Sequence, residues 1–158
     1  MIETSVLTLP FFIFDEEFDV PRRFRHDTGE GFCFTRSKPD ADRNNQDAMA
    51  VVSGIDDALV LVVADGLGGL PNGAKVARRA VESLASLTFA SLPESIQSVN
   101  DAMVSDGCVG GCTLAAVEMV RGQVVVHHVG DAGALVVSDA GAVRLQTVPH
   151  SPVGHAEA

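Results

Sequence analysis

Residues 58–64 (Ala-Leu-Val-Leu-Val-Val-Ala) are apolar at every position and stop abruptly at Asp65-Gly66-Leu67-Gly68-Gly69. A strand without a polar face has to be covered on both sides, so the fold must enclose it between two layers. A shorter apolar run, 48–52, lies just upstream, with Gly54-Ile55-Asp56-Asp57 between the two as a turn. These read as neighbouring strands of a hairpin. The glycines that follow Ala64 let the backbone bend sharply and come close to a ligand.

Downstream the period changes to that of a helix. Asn72 can cap it, and Ala77, Ala80, Val81, Leu84 and Leu87 fall on one face, with Lys75, Arg78, Arg79, Glu82 and Ser86 elsewhere. A second helix is predicted from Pro93 to about Val104, turning Ile96, Val99 and Met103 inward. After Gly110-Gly111, strand patterns return at 112–120, 123–129, 134–138 and 143–146, divided by turn residues, and predict a meander of four antiparallel strands. Strands, a helix pair, then more strands make an α+β chain. At the front, apolar 6–14 gives way to Asp15-Glu16-Glu17 and then to Arg22, Arg23 and Arg25, which suits an extra strand or an arm packed on the domain. From Gly31 a further strand around Phe32 and Phe34 precedes a polar loop, 37–45. The expected division is therefore an N-terminal extension, 1–30, and a folded part, 31–158.

A chain of 158 residues suffices for one compact domain. Its 11 basic against 21 acidic residues, a formal charge of −10, argue against nucleic acid and anionic membranes as partners. The same balance attracts divalent cations wherever carboxylates converge, although most of the acids read as solvated surface. Three cysteines, Cys33, Cys108 and Cys112, are too few and too irregular for a disulfide framework, and no finger-like spacing supports zinc. The start lacks the basic region of a signal peptide, and no apolar run approaches the roughly 20 residues of a membrane helix. A cytoplasmic location is expected.

Asp47, Asp65 and Asp131 each sit at a strand end or in a turn between strands. Each has a plain role available as a turn or loop cap. Carboxylates at the ends of adjacent strands can also converge on one hard cation, which takes oxygen ligands, and the Gly66 carbonyl could approach such an ion unobstructed.

Five strings then occur in a familiar order. They are Asn45-Gln46-Asp47-Ala48, Val63-Ala64-Asp65-Gly66-Leu67-Gly68-Gly69 with Gly73, Gly111-Cys112-Thr113-Leu114, His128-Val129-Gly130-Asp131-Ala132, and Gln146-Thr147-Val148-Pro149-His150-Ser151. Together, over residues 31–158, they resemble the metal-dependent type-2C (PPM-type) serine/threonine protein phosphatases, bacterial branch. The resemblance implies a four-layer α/β/β/α sandwich with two bridged Mn2+ or Mg2+ ions at the sheet edge. It implies that Asp65 bridges both ions, that the Gly66 carbonyl ligates one, that Asp47 acts on the same cluster, and that Asp131 helps hold a third. The reaction it implies is hydrolysis of phosphoserine or phosphothreonine in a protein substrate of a serine/threonine kinase, by water activated between the ions.

The sequence also departs from the pattern. The usual phosphate-gripping arginine position is Asp42, so Arg43 is the candidate phosphate clamp, with Arg36 as the second choice. Ala132-Gly133 stand where Ser-Arg is usual. The family's later Asp-Gly and Asp-Asn metal ligands have no counterpart before Ala158, so the domain is expected to be incomplete at its C-terminus and hydrolysis weak. The competing expectation is a catalytically degenerate, phosphatase-like binding or regulatory module. A third reading, the glycine box of a histidine-kinase-like ATPase, fails for want of an upstream helical Asn box.

Overall fold

The computed structural model describes residues 6–37, 45–86 and 91–150. Along the chain run β1 (Val6–Leu7), β2 (Phe11–Phe14), β3 (Arg22–His26), β4 (Gly29–Cys33), β5 (Asp47–Ser53) and β6 (Leu59–Gly66). They are followed by α1 (Gly73–Ser86), α2 (Leu92–Ser105), β7 (Cys112–Val120), β8 (Gln123–Val129), β9 (Leu135–Val137) and β10 (Val143–Gln146). The composition is α+β, as the periodicities predict.

The central element is a five-stranded sheet in the order β2-β5-β6-β7-β8, antiparallel at every pairing. Its alternating side chains divide between two cores. On one face Ala48, Ala50 and Val52, Val60, Val62 and Ala64, and Leu114 and Ala116 pack against Ala77, Ala80, Val81 and Leu84 of α1 and Val99 of α2. Alanines on both the strands and α1 let the helix sit close to the sheet. On the other face Val51 and Leu59 pack with Phe11, Ile13, Phe18, Phe24 and Cys33 from the N-terminal segment. The all-apolar strand is thus covered from both sides along most of its length, the requirement read from its sequence. Leu87, expected on the inner face of the first helix, lies outside the described residues. Among the described residues no helix is long and apolar enough to cross a membrane.

The N-terminal residues contribute to this layer structure. β2 extends the central sheet at the β5 edge, and β1, β3 and β4 form a three-stranded sheet over the second core. In β4 it is Cys33 that turns inward, while Phe32 and Phe34 remain 62% and 48% exposed. The reason is local. Gly31 leaves room for the Phe24 ring of the paired strand to lie directly on its backbone, and that contact sets which side chains of β4 face the core.

The four-stranded meander divides into two pairs. β7 and β8 belong to the central sheet, whereas β9 and β10 pair only with each other. The chain leaves the sheet at Gly130, whose φ of +86° takes it out of strand geometry. Its new course is then held by the Ala134 N–H donating to Thr147 Oγ1 at 2.9 Å and the Thr147 N–H donating to the Ala134 carbonyl at 3.0 Å.

Val81 is fully enclosed between helix and sheet, whereas Val63 of β6 is 41% exposed on the opposite face. Val81→Ala should cost about 2 kcal/mol through lost burial and the cavity left behind, lowering Tm by about 4–8 °C for a chain of this size. Val63→Ala should stay within about 0.5 kcal/mol of the parent. Thermal melts followed by circular dichroism check both, and equal losses would contradict the enclosed position of Val81 and the exposed position of Val63.

Candidate functional site

Asp47 is the first residue of β5, and Asp65 is the last but one of β6; the ladder sets them directly opposite each other. The next pair along, Gln46 and Gly66, is joined by the Gly66 N–H donating to the Gln46 carbonyl at 3.2 Å. Alternation in an antiparallel ladder makes Asp47–Asp65 a non-hydrogen-bonded pair, the kind in which side chains stand closest. Both residues are exposed, on the sheet face away from the helices. The Asp47 carboxyl is held above its ordinary range first by burial, then by the negative charge of Asp65 and a hydrogen bond between the two carboxyls. Since Asp47 as a whole residue remains exposed, the burial effect is confined to the carboxyl itself and is softened by solvent.

The glycines around the pair serve close approach. A Cβ on Gly66 would lie 2.5 Å from the Gly73 carbonyl carbon and 2.8 Å from the Gln46 oxygen, both backbone atoms that cannot give way. Gly66 therefore lets the first turn of α1 rest directly on the strand that carries Asp65. Asn72, with φ of 62°, makes the bend into α1; its carbonyl accepts the Val76 N–H at 2.9 Å. Its side chain turns instead to the neighbouring loop and donates to the Val109 carbonyl at 3.1 Å, so the capping expected of Asn72 comes from its backbone rather than its amide. The Leu67 N–H donates to the Gly111 carbonyl at 2.9 Å, fastening the glycine loop to the start of β7.

On β7, Thr113 stands opposite Asp65 and is buried, with no hydrogen-bond partner for its hydroxyl oxygen among the described residues. Burial, and then the charge of Asp65, push the Cys112 thiol up to about 11, which leaves it a weak nucleophile at neutral pH. Asp131 is exposed in the turn after β8; the Gly130 before it lies against the Thr113 side chain. The structure thus brings Asp47, Asp65 and Gly66 together and sets Asp131 at the same end of the sheet. Among the described residues no three Asp, Glu, His or Cys side chains converge as a metal-holding group, so Asp131 does not join the pair. Arg43 lies outside the described residues, while Arg36 is exposed just after β4. Two features went unassigned in the sequence. Asn45 is buried and hydrogen-bonded to Asp47, and the rings of His128 and His150 stack with centroids 4.4 Å apart. Asn45 lies within the motif that first drew notice to Asp47, but its partners are remote in sequence and leave no local signal.

A cavity of about 400 Å³ opens between α1, α2 and β7, lined by Val76, Leu84, Ile96, Met103 and Leu114 among others. It lies on the helix side of the sheet. The carboxylates face the other way, so this cavity and the candidate site are separate features.

Two outcomes follow from this geometry. In metal-free protein Asp47→Asn should raise Tm at pH 7. A carboxyl whose folded pKa is raised costs no stability below its unfolded value, about 3.9, and costs most once pH exceeds the folded value, so the gap should close toward pH 3. Melts across pH 3–8 would measure it, and a variant that melts lower throughout would contradict the like-charge contact. Gly66→Ala should destabilise by about 1–3 kcal/mol by forcing α1 off the strand, read as a fall in Tm and loss of amide protection at the start of α1.

No protein-family model matches the sequence, and no curated protein does. Solved structures match the fold. The crystal structure of serine/threonine phosphatase Stp1 from Staphylococcus aureus aligns with a TM-score of 0.68 at 24% identity, covering 77% of this chain and 54% of that one. Two crystal structures of bacterial serine phosphatase bearing arginine substitutions align with TM-scores of 0.68 and 0.65, each at 24% identity. They cover 77% and 75% of this chain and 56% and 60% of their own. The chain therefore spans a little over half the length of the structures it matches. At this level of identity the likeness is one of fold: the described strands and helices are arranged as in bacterial serine/threonine phosphatases.

Proposed function

We propose that the chain carries the Asp47–Asp65–Gly66 part of a divalent-metal site for hydrolysing phosphoserine or phosphothreonine in a phosphorylated protein. The observation that carries this reading is the contact of two like-charged carboxyls at the end of adjacent strands. Two anions pressed together this way, on a fold shared with phosphatases, fit a cation between or beside them. All the donors are oxygens, which suits Mn2+ or Mg2+, ions that accept one or two protein carboxylates and keep several waters. Asp47 and Asp65 would hold the ion by their carboxylates and Gly66 by its carbonyl, and Asp131 is proposed to serve a further ion at the same sheet end. When bound, the metal supplies positive charge that neutralises phosphate oxygens and acidifies water.

The protein groups have separate tasks. The facing carboxylates repel a phosphate dianion until their charge is neutralised, so they make substrate binding conditional on the cation. Arg43 is proposed to grip the phosphate. The exposed position of the pair allows a phosphorylated side chain on a protein surface to reach it. The wider proposal is a four-layer α/β/β/α phosphatase sandwich with residues 31–158 as its front part and 1–30 as an extension, acting in the cytoplasm on substrates of a serine/threonine kinase.

A second reading is favoured by one observation, that only two carboxylates meet among the described residues. It is a phosphatase-like module that binds a phosphorylated segment without turning it over. Calorimetry with Mn2+ and release of phosphate from a phosphothreonine peptide separate the two. The 158-residue chain should bind Mn2+ with a Kd on the order of 0.1–1 mM and hydrolyse slowly. Asp65→Asn should lose at least about 10-fold in Mn2+ affinity and all detectable hydrolysis. Hydrolysis surviving in that variant would remove Asp65 from the mechanism, and metal binding without any hydrolysis would favour the module.

A further inference from the structure

Asn45 is 5% exposed and uses its whole side-chain amide. Its Nδ2 donates to the Glu16 carbonyl at 2.9 Å, in the loop after β2, and to Thr35 Oγ1 at 2.6 Å, just beyond β4. Its Oδ1 accepts the backbone N–H of Asp47 at 3.0 Å. The orientation of the amide is fixed by these partners, because a flipped amide would set its NH2 against the Asp47 N–H and its oxygen against the Glu16 carbonyl. Thr35 is itself buried, and its carbonyl accepts the Phe18 N–H at 3.0 Å. Segments 16–18, 34–35 and 45–47 are therefore knotted together by one satisfied polar cluster, placed where β5 begins.

We infer that Asn45 is a positioning residue: through it the N-terminal layer, residues 6–37, sets the backbone of Asp47 and hence where the Asp47 carboxyl meets Asp65. The two carboxyls repel, and Asp47 lies near the start of its strand, where beyond it the bond of the Gly66 N–H to the Gln46 carbonyl is the last tie to β6 among the described residues. Without an acceptor for its N–H, Asp47 keeps that one outer tie against the repulsion. On the other side Asp65 needs no such tie, because β6 is flanked by β5 and β7 and Gly66 is clamped by α1. Asn45 thus secures the mobile half of the pair. Its functional consequence rests on the metal-site reading, but the positioning itself does not.

Thr35 allows a test that leaves both carboxylates and Asn45 in place. Thr35→Val removes the hydroxyl that holds the Asn45 amide, while Thr35→Ser restores it. In metal-free protein, amide exchange of Asp47 followed by NMR should speed up about 5-fold in T35V, as for loss of one ordinary hydrogen bond. It should return to the parent rate in T35S, with the β6 and β7 amides unchanged in both. Mn2+ affinity should fall about 10-fold in T35V, the usual effect of removing support behind a ligand. Unchanged Asp47 exchange in T35V, or faster exchange spread evenly over the sheet, overturns the positioning role. Absence of Mn2+ binding in the parent overturns the metal reading instead, and the exchange result then still decides the role of Asn45.

Discussion

Asp47 and Asp65 meet across the β5–β6 ladder as a non-hydrogen-bonded pair, so two side chains of the same charge are held at the shortest spacing a sheet offers. Left to themselves they would separate. The surroundings prevent it at each side. β6 cannot shift, because it is paired on both edges and sealed by apolar cores over most of its length. The turn after Asp65 cannot relax, because Gly66 and Gly73 touch backbone to backbone and Leu67 is bonded to Gly111. Asp47 is tethered by Asn45. An unfavourable contact kept in place by so many unrelated favourable ones is the usual mark of a site prepared for a ligand.

The parts of this arrangement that were legible in the sequence are those fixed by local pattern. The apolar run before Asp65 announces its own burial, the period of α1 gives its inner face, and glycines after a strand announce a close approach. The pattern also places Asp47 and Asp65 near one end of a hairpin, while the register that opposes them is given by the ladder itself. What could not be read depends on contacts between distant residues. Nothing near Asn45 tells that Glu16 and Thr35 will close around it. Nothing in the pattern of 134–146 distinguishes two more strands of the central sheet from a separate hairpin, since both alternate alike; the difference arises from the positive φ of Gly130 and the side chain of Thr147. Phe32 and Phe34 predict a strand correctly but not its orientation, which Phe24 decides from across the hairpin.

The separation of the helix-side cavity from the carboxylates bears on the proposed function. The cavity between α1, α2 and β7 is apolar and belongs to the packing of helices on the sheet. Its lining includes the amides of Gln97 and Asn100 but no charged side chain to meet a phosphate. The carboxylate pair instead stands open at the sheet end. An open site provides little enclosure and therefore little affinity for a small free molecule. It does admit a side chain carried on a larger surface, which brings its own binding contacts. Under the proposed function, that geometry would suit a phosphorylated protein better than a free metabolite.

Charge adds a constraint that applies to either functional reading. The chain carries a formal charge of −10, and the site adds two facing carboxylates at its centre. A phosphate group carries up to two negative charges of its own, so the bare site repels it, and the repulsion is strongest where the reacting group has to sit. A module that merely recognises phosphorylated segments through this face would therefore depend on a cation as much as an enzyme would. Metal binding alone thus does not separate catalysis from recognition; the separation lies in turnover. Under the proposed function the pair of carboxylates would make the cation the entry condition for substrate, and the number of further groups brought to it would determine whether bound phosphate is only held or also hydrolysed.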